Sequence, residues 1–480
     1  MEESIQKAPT HIAILSSIGM GHLIRHLDFQ PKFLITLIIP TDEYIQKPRT
    51  HIAILSSLGM GHLISLIQFS KRLLDFQPNF LITLIIPTDE IVVQIHDNMM
   101  RSLPAVRDTL RLLNQSNSHP VSILVVDLFG PPAIDLAREF NISPYMFFST
   151  NGMFLSLVLH MPKIDKMFTC DFRDSFEPIK LPGIIPLYGK DLVDSAQDRK
   201  SEAYKILLQT FDEYKALDGI FVNSFMGLES SAFRALKEIE GFKVPIYPIG
   251  PITQYDKKTE INRPDCLKWL DEQPFGSTLF VSFGSGGTLS QEQLNELAFG
   301  LELSGQRFLW VIRTPNEKIR NAAFFSVQTT KRYPLEFLPK GFLERTKGKG
   351  LVIPSWAPQN EVLNHGSIGG FLTHCGWNSV LESMVNGIPL IAWPLYAEQK
   401  MNSVLLTDDL KVAFRVNMNE DGIVEREEIA KLGKKLIEGE EGEELRKKMK
   451  YFKDSAAEAL TENGSSFKSL VEVASKWINC

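Results

Sequence analysis

Three observations lead us to expect two doubly wound α/β domains facing each other across a cleft. From residue 51 onward, short apolar runs of strand length alternate with stretches of helical apolar spacing, the pattern of a mostly parallel sheet. One polar, proline-punctuated stretch, IGPITQYDKKTEINRPD at 249–265, divides this alternation in two. Each half sets glycines and small polar residues where a strand gives way to a helix, and doubly wound sheets hold ligands outside the carboxyl ends of their strands.

The composition agrees. A chain of 480 residues suggests two or three domains at about 150 residues each. Hydrophobic residues at 44% and charged residues at 22% exclude disordered, collagenous and disulfide-stapled classes. Lys+Arg 51 against Asp+Glu 57 leaves a net charge of −6, which argues against sequence-independent nucleic-acid binding. Cys170, Cys266, Cys375 and Cys480 lie far apart, with no CxxC and no zinc spacing, as expected of reduced thiols in the cytoplasm. The segment MEESIQKAPT is polar and unlike a signal peptide, and the apolar runs 33–39 and 80–86 fall far short of the ~18 residues of a membrane span. A soluble, cytoplasmic protein is expected.

The front of the chain is duplicated. HIAILSSIGMGHLI at 11–24 returns as HIAILSSLGMGHLI at 51–64, and DFQPKFLITLIIPTDE at 28–43 returns as DFQPNFLITLIIPTDE at 75–90. The offset is 51 − 11 = 40 residues before a gap and 75 − 28 = 47 after it, so copy one lacks seven residues in its middle. Two near-identical copies point to a recent tandem duplication or a faulty gene model rather than to a solenoid. Copy two reads as strand 52–56, helix 63–74 and strand 80–86. Copy one leaves only about nine residues between Gly21 and Pro31, less than the ~10–12 of a parallel crossover, so it should not form the same βαβ unit. Residues 1–50 are therefore expected as an appendage, partly disordered or packed peripherally.

Further along, 122–127 and 219–223 read as strands, and 133–140 and 228–239 as helices. After the 249–265 linker come strands 278–283, 307–312, 351–354, 369–373 and 389–392, and helices 291–304 and 378–386. The stretch 316–340 reads as a polar insertion, and 425–453 as the solvated faces of terminal helices.

Four places carry chemistry. Gly59-Met60-Gly61-His62 turns a strand into a helix and brings His62 to the cleft. It is not the dinucleotide fingerprint, because Ile64 takes the third glycine position, and a lone His at such a turn is more often structural. Asp127 ends a strand on the same side, where a carboxylate can fix an imidazole tautomer and stabilise the imidazolium. No G-x-S-x-G elbow occurs, against an acyl-enzyme hydrolase. Ser285 in FGSGG can offer backbone N–H groups and a hydroxyl to a phosphate, although an ordinary loop would read the same. In 356–399, WAPQNEVLNHGSIGGFLTHCGWNSVLESMVNGIPLIAWPLYAEQ, the neutral donors His374, Asn378 and Ser379 gather at a helix N-terminus suited to a diphosphate. Glu382 lies one turn on and can accept from ribose hydroxyls, Trp356 can stack on a base, and Glu398 and Gln399 suit sugar hydroxyls.

This last block resembles the 44-residue signature of plant family 1 UDP-glycosyltransferases, in its WAPQ start, HCGWNS centre and EQ end. The similarity of LVVDLFG, SFGSGGTL, FLPKGFLERT and WPLYAEQKMN extends it over about 51–480, on the side of phenol glucosyltransferases of the hydroquinone glucosyltransferase type. The resemblance implies a GT-B fold with an acceptor-binding domain at 51–250, a UDP-sugar domain at 251–460, and a C-terminal helix in 461–480 packing back on the first. It implies Trp356, Ala357 and Gln359 at uracil, Glu382 at ribose, and His374, Asn378, Ser379 and Ser285 at the diphosphate. Trp377, Glu398 and Gln399 would hold the sugar, with Gln399 favouring glucose. His62 would be the general base and Asp127 its partner, reversing the structural reading of His62; His22 in copy one is the rival base.

The implied function is inverting, metal-independent transfer of glucose from UDP-glucose to a small phenol, with no cofactor; no DxD-type carboxylate pair stands at a strand end. The implied partners are a UDP-sugar and a phenolic acceptor, without nucleic acid or membrane span, on a monomer. Phe147, Phe148 and Met153 are candidate acceptor-pocket walls, though such residues are commonly plain core. One departure stands out: after Glu90 the family's several tens of residues are replaced by IVVQIHDN, and His62 and Asp127 are only 127 − 62 = 65 apart. A UDP-sugar-binding protein with impaired transfer is the competing reading; a dehydrogenase is disfavoured by Ile64.

Overall fold

The structure is a computed structural model that describes residues 10–15, 33–39, 50–57, 60–77, 80–88, 95–116, 120–253, 263–316 and 333–478. Fourteen strands form two sheets. The first is built from β1 (Thr10–Leu15), β2 (Phe33–Ile39), β3 (Thr50–Leu55), β4 (Phe80–Thr88), β5 (Val121–Asp127), β6 (Ser143–Phe148), β7 (Gly219–Val222) and β8 (Ile246–Pro248). Its order is β1-β2-β4-β3-β5-β6-β7-β8. The second is built from β9 (Thr278–Ser282), β10 (Arg307–Ile312), β11 (Gly350–Pro354), β12 (Ile368–Thr373), β13 (Leu390–Ala392) and β14 (Ala413–Arg415), in the order β11-β10-β9-β12-β13-β14. All pairings are parallel except β2 with β4. This is the GT-B arrangement of two doubly wound domains. The central strands β3 and β9 are buried along their whole length, because helices cover both sheet faces.

The shortened segment after Glu90 leaves the first sheet continuous. Helix Ile95–Ser116 leads from β4 to β5, and β5 pairs β3 in parallel with Leu55 opposite Val126. The duplicated copy sits on the outer edge. Its β1 and β2 pair in parallel with Thr10 opposite Phe33, as Thr50 lies opposite Phe80 in copy two. Copy one was expected not to form the same βαβ unit, and in its strand pairing it matches copy two. The whole interval from Leu15 to Phe33 is available for the crossover, more than the ~10–12 residues one needs. Residues 16–32, with His22, lie outside the described residues, as do 254–262 of the linker and 317–332 of the insertion.

The C-terminal helix Ser465–Ile478 returns to the first domain. Trp477 packs edge-on against Tyr145 and Phe221, with ring centroids 5.1 and 5.7 Å apart. Further ties cross the cleft: Trp377 Nε1 donates to the Asn223 carbonyl at 2.7 Å, Asn151 Nδ2 to Asn402 Oδ1 at 2.7 Å, and Arg415 to Asp191 at 2.6 Å. The carboxyl ends of both sheets are thereby held face to face.

Candidate active site

A cavity of about 860 Å³ lies between the domains. Its first wall begins with β3 and β5. Their parallel pairing sets Ser57, just past β3, beside Asp127 at the end of β5. Asp127 is fully buried and well supplied with donors. Its Oδ2 accepts from the Ser57 amide at 2.7 Å, from the Ser57 hydroxyl through a short hydrogen bond, and from His62 Nδ1 at 3.2 Å. Its Oδ1 accepts from the Phe129 amide at 3.0 Å. His62 stands in the first turn of helix Met60–Phe76, and Gly59 before it lies outside the described residues. Phe129 stacks on the imidazole at 5.4 Å, so the ring is held on its face as well as at Nδ1. Assigning the Nδ1 proton to Asp127 leaves Nε2 as the basic nitrogen of a ring that lines the cavity. Ser57 escaped the sequence reading, because only the β3–β5 pairing joins it to Asp127.

The opposite wall is the turn from β12 into helix Trp377–Asn386. No side chain caps this helix, so its first N–H groups remain to be met by a ligand. His374 fills the space between two glycines. A Cβ on Gly284 would come within 2.6 Å of its ring, and one on Gly376 within 2.4 Å. Burial holds His374 down at about 4, so it is a neutral hydrogen-bonding group at pH 7. Gln359 Nε2 donates to Ser379 Oγ at 2.9 Å and to Glu382 Oε2 at 2.7 Å, tying three of the expected donor residues together. Trp356 is 53% exposed, an open stacking surface beside the buried Ala357.

At the end of the cavity where the sugar is expected, Gln399 Oε1 accepts from the amides of Leu395 and Tyr396 at 2.9 and 3.0 Å. Burial raises the Glu398 carboxyl above the usual range, opposed by the nearby His62. Asp194 reaches across from the first domain to accept from the Ala397 amide at 2.8 Å. Trp377 is buried with its indole N–H committed to Asn223, so its ring N–H serves the domain contact. Ser285 lines the cavity with the rest, and the cavity thus gathers His62 and all the expected donor-site residues, while Asp127 reaches it through His62.

The remaining wall is apolar, with Leu128, Phe129, Phe154, Val158, Leu207 and Tyr214. Phe147, Phe148 and Met153 are fully buried in the cores and do not line the cavity, which corrects their reading as acceptor walls. Phe154, one residue beyond Met153 on helix Gly152–Met167, faces the cavity instead.

The UDP-glucoronosyl and UDP-glucosyl transferase family model matches residues 266–442. A hydroquinone glucosyltransferase of Rauvolfia serpentina is 51% identical over 98% of both chains. The chain belongs to this family. UDP-glycosyltransferase 72B1 of Arabidopsis thaliana is 49% identical, covering 99% of this chain and 97% of that protein. The solved Phytolacca americana UGT2, complexed with UDP-2fluoro-glucose and pterostilbene, matches with a TM-score of 0.80 and 46% identity over 89% of this chain and 99% of its own. The protein is accordingly a UDP-glycosyltransferase with a UDP-sugar as donor. Among the described residues no group of three or more His, Cys, Asp or Glu could hold a metal ion, and no helix is long and apolar enough to cross a membrane.

Proposed function

We propose that the enzyme transfers glucose from UDP-glucose to the hydroxyl of a small phenol, with inversion and without a metal, in the cytoplasm. The observation that carries this reading is the His62–Asp127 pair facing the uncapped N-terminus of Trp377–Asn386 across one cavity. Residues 51–250 then bind the acceptor, 251–460 bind the donor, 461–480 close the first domain, and 1–50 are an added edge. Uracil stacks on Trp356 beside Ala357 and Gln359. Ribose bonds Glu382. The diphosphate meets His374, Asn378, Ser379, Ser285 and the helix N–H groups. Glucose lies against Glu398, Gln399 and Trp377. The apolar wall suits an aromatic ring, in keeping with the relatives' named acceptors.

His62 Nε2 takes the phenolic proton as the oxygen attacks the anomeric carbon in line. The bond from that carbon to the diphosphate oxygen breaks, and its electron pair leaves with UDP. Asp127 stabilises the imidazolium, and the helix dipole and neutral donors stabilise the departing charge. A phenol of pKa about 10 requires only one base.

The test is His62→Ala, assayed with UDP-glucose and a panel of phenols beside UDP titration. The expected result is a loss of about 10²–10⁴-fold in kcat with UDP affinity unchanged. Turnover that survives, or that depends on His22 instead, would remove His62 from the role. Wild-type binding of UDP without turnover on any phenol would favour a UDP-sugar-binding protein whose shortened segment after Glu90 has cost it the reaction.

A further inference from the structure

One cationic side chain in the cavity has no carboxylate partner among the described residues. Arg313 follows β10 at the carboxyl end of the second sheet, next to β9, whose end runs into Gly284 and Ser285. It is the only Lys or Arg among the described residues lining the cavity. Burial lowers its affinity for the proton, and the Tyr396 side chain of the sugar-side loop acts against that effect. Its Nε is buried with no hydrogen-bond partner, and no carboxylate of the described residues pairs with it. A guanidinium taken out of water without a counter-ion is costly, and such groups persist where something supplies the opposite charge.

The other lining residues do not balance a nucleotide. Four acids line the cavity, Asp194, Glu213, Glu382 and Glu398, and each opposes an incoming diphosphate. His374, set among the diphosphate donors, is neutral at pH 7. The helix N-terminus and the hydroxyls contribute dipoles but no full charge. A fixed cation near the phosphates would offset these carboxylates, and the described wall contains one.

We infer that Arg313 is the counter-charge of the donor's diphosphate, a binding residue that strengthens as negative charge gathers on departing UDP. This rests on the donor site proposed above. The position beside Gly284 and Ser285, the lost solvation and the missing partner all carry it. Arg suits the task better than Lys, because its planar fork addresses two phosphate oxygens at once.

The experiment titrates UDP, uridine and UDP-glucuronate into the full-length protein and into Arg313→Gln and Arg313→Lys, with the thermal midpoint of each followed. Arg313→Gln should weaken UDP by about tenfold or more, uridine hardly at all, and Arg313→Lys should recover part of the loss. Raising the salt should weaken UDP more in the wild type than in Arg313→Gln. Equal UDP affinity in the wild type and Arg313→Gln would overturn the inference, as would an equal loss for uridine, the mark of a packing role. A loss confined to UDP-glucuronate would overturn it by assigning the cation to a sugar carboxylate. A wild-type protein that binds no UDP would instead sink the donor-site reading itself.

Discussion

His374 shows how a titratable side chain becomes a neutral donor. Gly284 and Gly376 press on its ring from two sides, and burial disfavours a charge there. Its pKa falls from 6.5 to about 4 in the folded state. Between these values the unfolded chain binds the extra proton and the native protein does not, so stability rises with pH across the window. That stabilisation is complete above about 6.5 and is lost as pH falls through about 4, by roughly 3 kcal/mol in all. His374→Gln should therefore show a shallower fall of the thermal midpoint between pH 6.5 and 4 than the wild type; parallel curves would show that His374 is not the group responsible. Most of the site was legible at this scale, because FGSGG and HCGWNS are local motifs whose residues stay close in space. Ser57 and Arg313 were not, since each gains its meaning from which strand lies beside it in the fold.

The helix Trp377–Asn386 does two things with one end. Its N-terminus faces the cavity, and its first residue anchors the domains through the Trp377–Asn223 bond. Replacing Trp377 with Phe keeps most of the packing but leaves a buried carbonyl unpaired, which costs about 1–3 kcal/mol. Chemical denaturation should show that loss, and KM for the donor should rise as the cleft loosens; unchanged stability would mean that another group takes over the carbonyl. Elements with clear spacing were read to the residue: 291–304 and 307–312 are the observed helix and strand. The helix Gly152–Met167 was not read. It is buried on nearly every side, so the polar face that marks a surface helix is missing.

At the scale of the molecule, the duplicated front supplies an edge. β2 runs antiparallel along β4 from Phe33 opposite Thr88 to Ile39 opposite Ile82. Without it, β4 would present an apolar strand with unpaired N–H and C=O groups, a template for another chain. Deletion of residues 1–49 should therefore produce dimers or aggregates by light scattering while UDP binding, proposed above for the second domain, persists. A monodisperse, equally stable truncation would show that the edge is harmless. The sequence by itself determined the two-domain α/β plan, the donor motif and the candidate base, because apolar periodicity and short-range glycine-and-donor patterns are written along the chain. Only the tertiary structure decided that the strands of copy one pair as those of copy two do, that Ser57 and Asp127 meet, that Phe147, Phe148 and Met153 are core, and that Arg313 lines the cavity with no carboxylate partner among the described residues. Each of these depends on which distant strands become neighbours, and strand order is set by how the faces bury one another rather than by any local pattern.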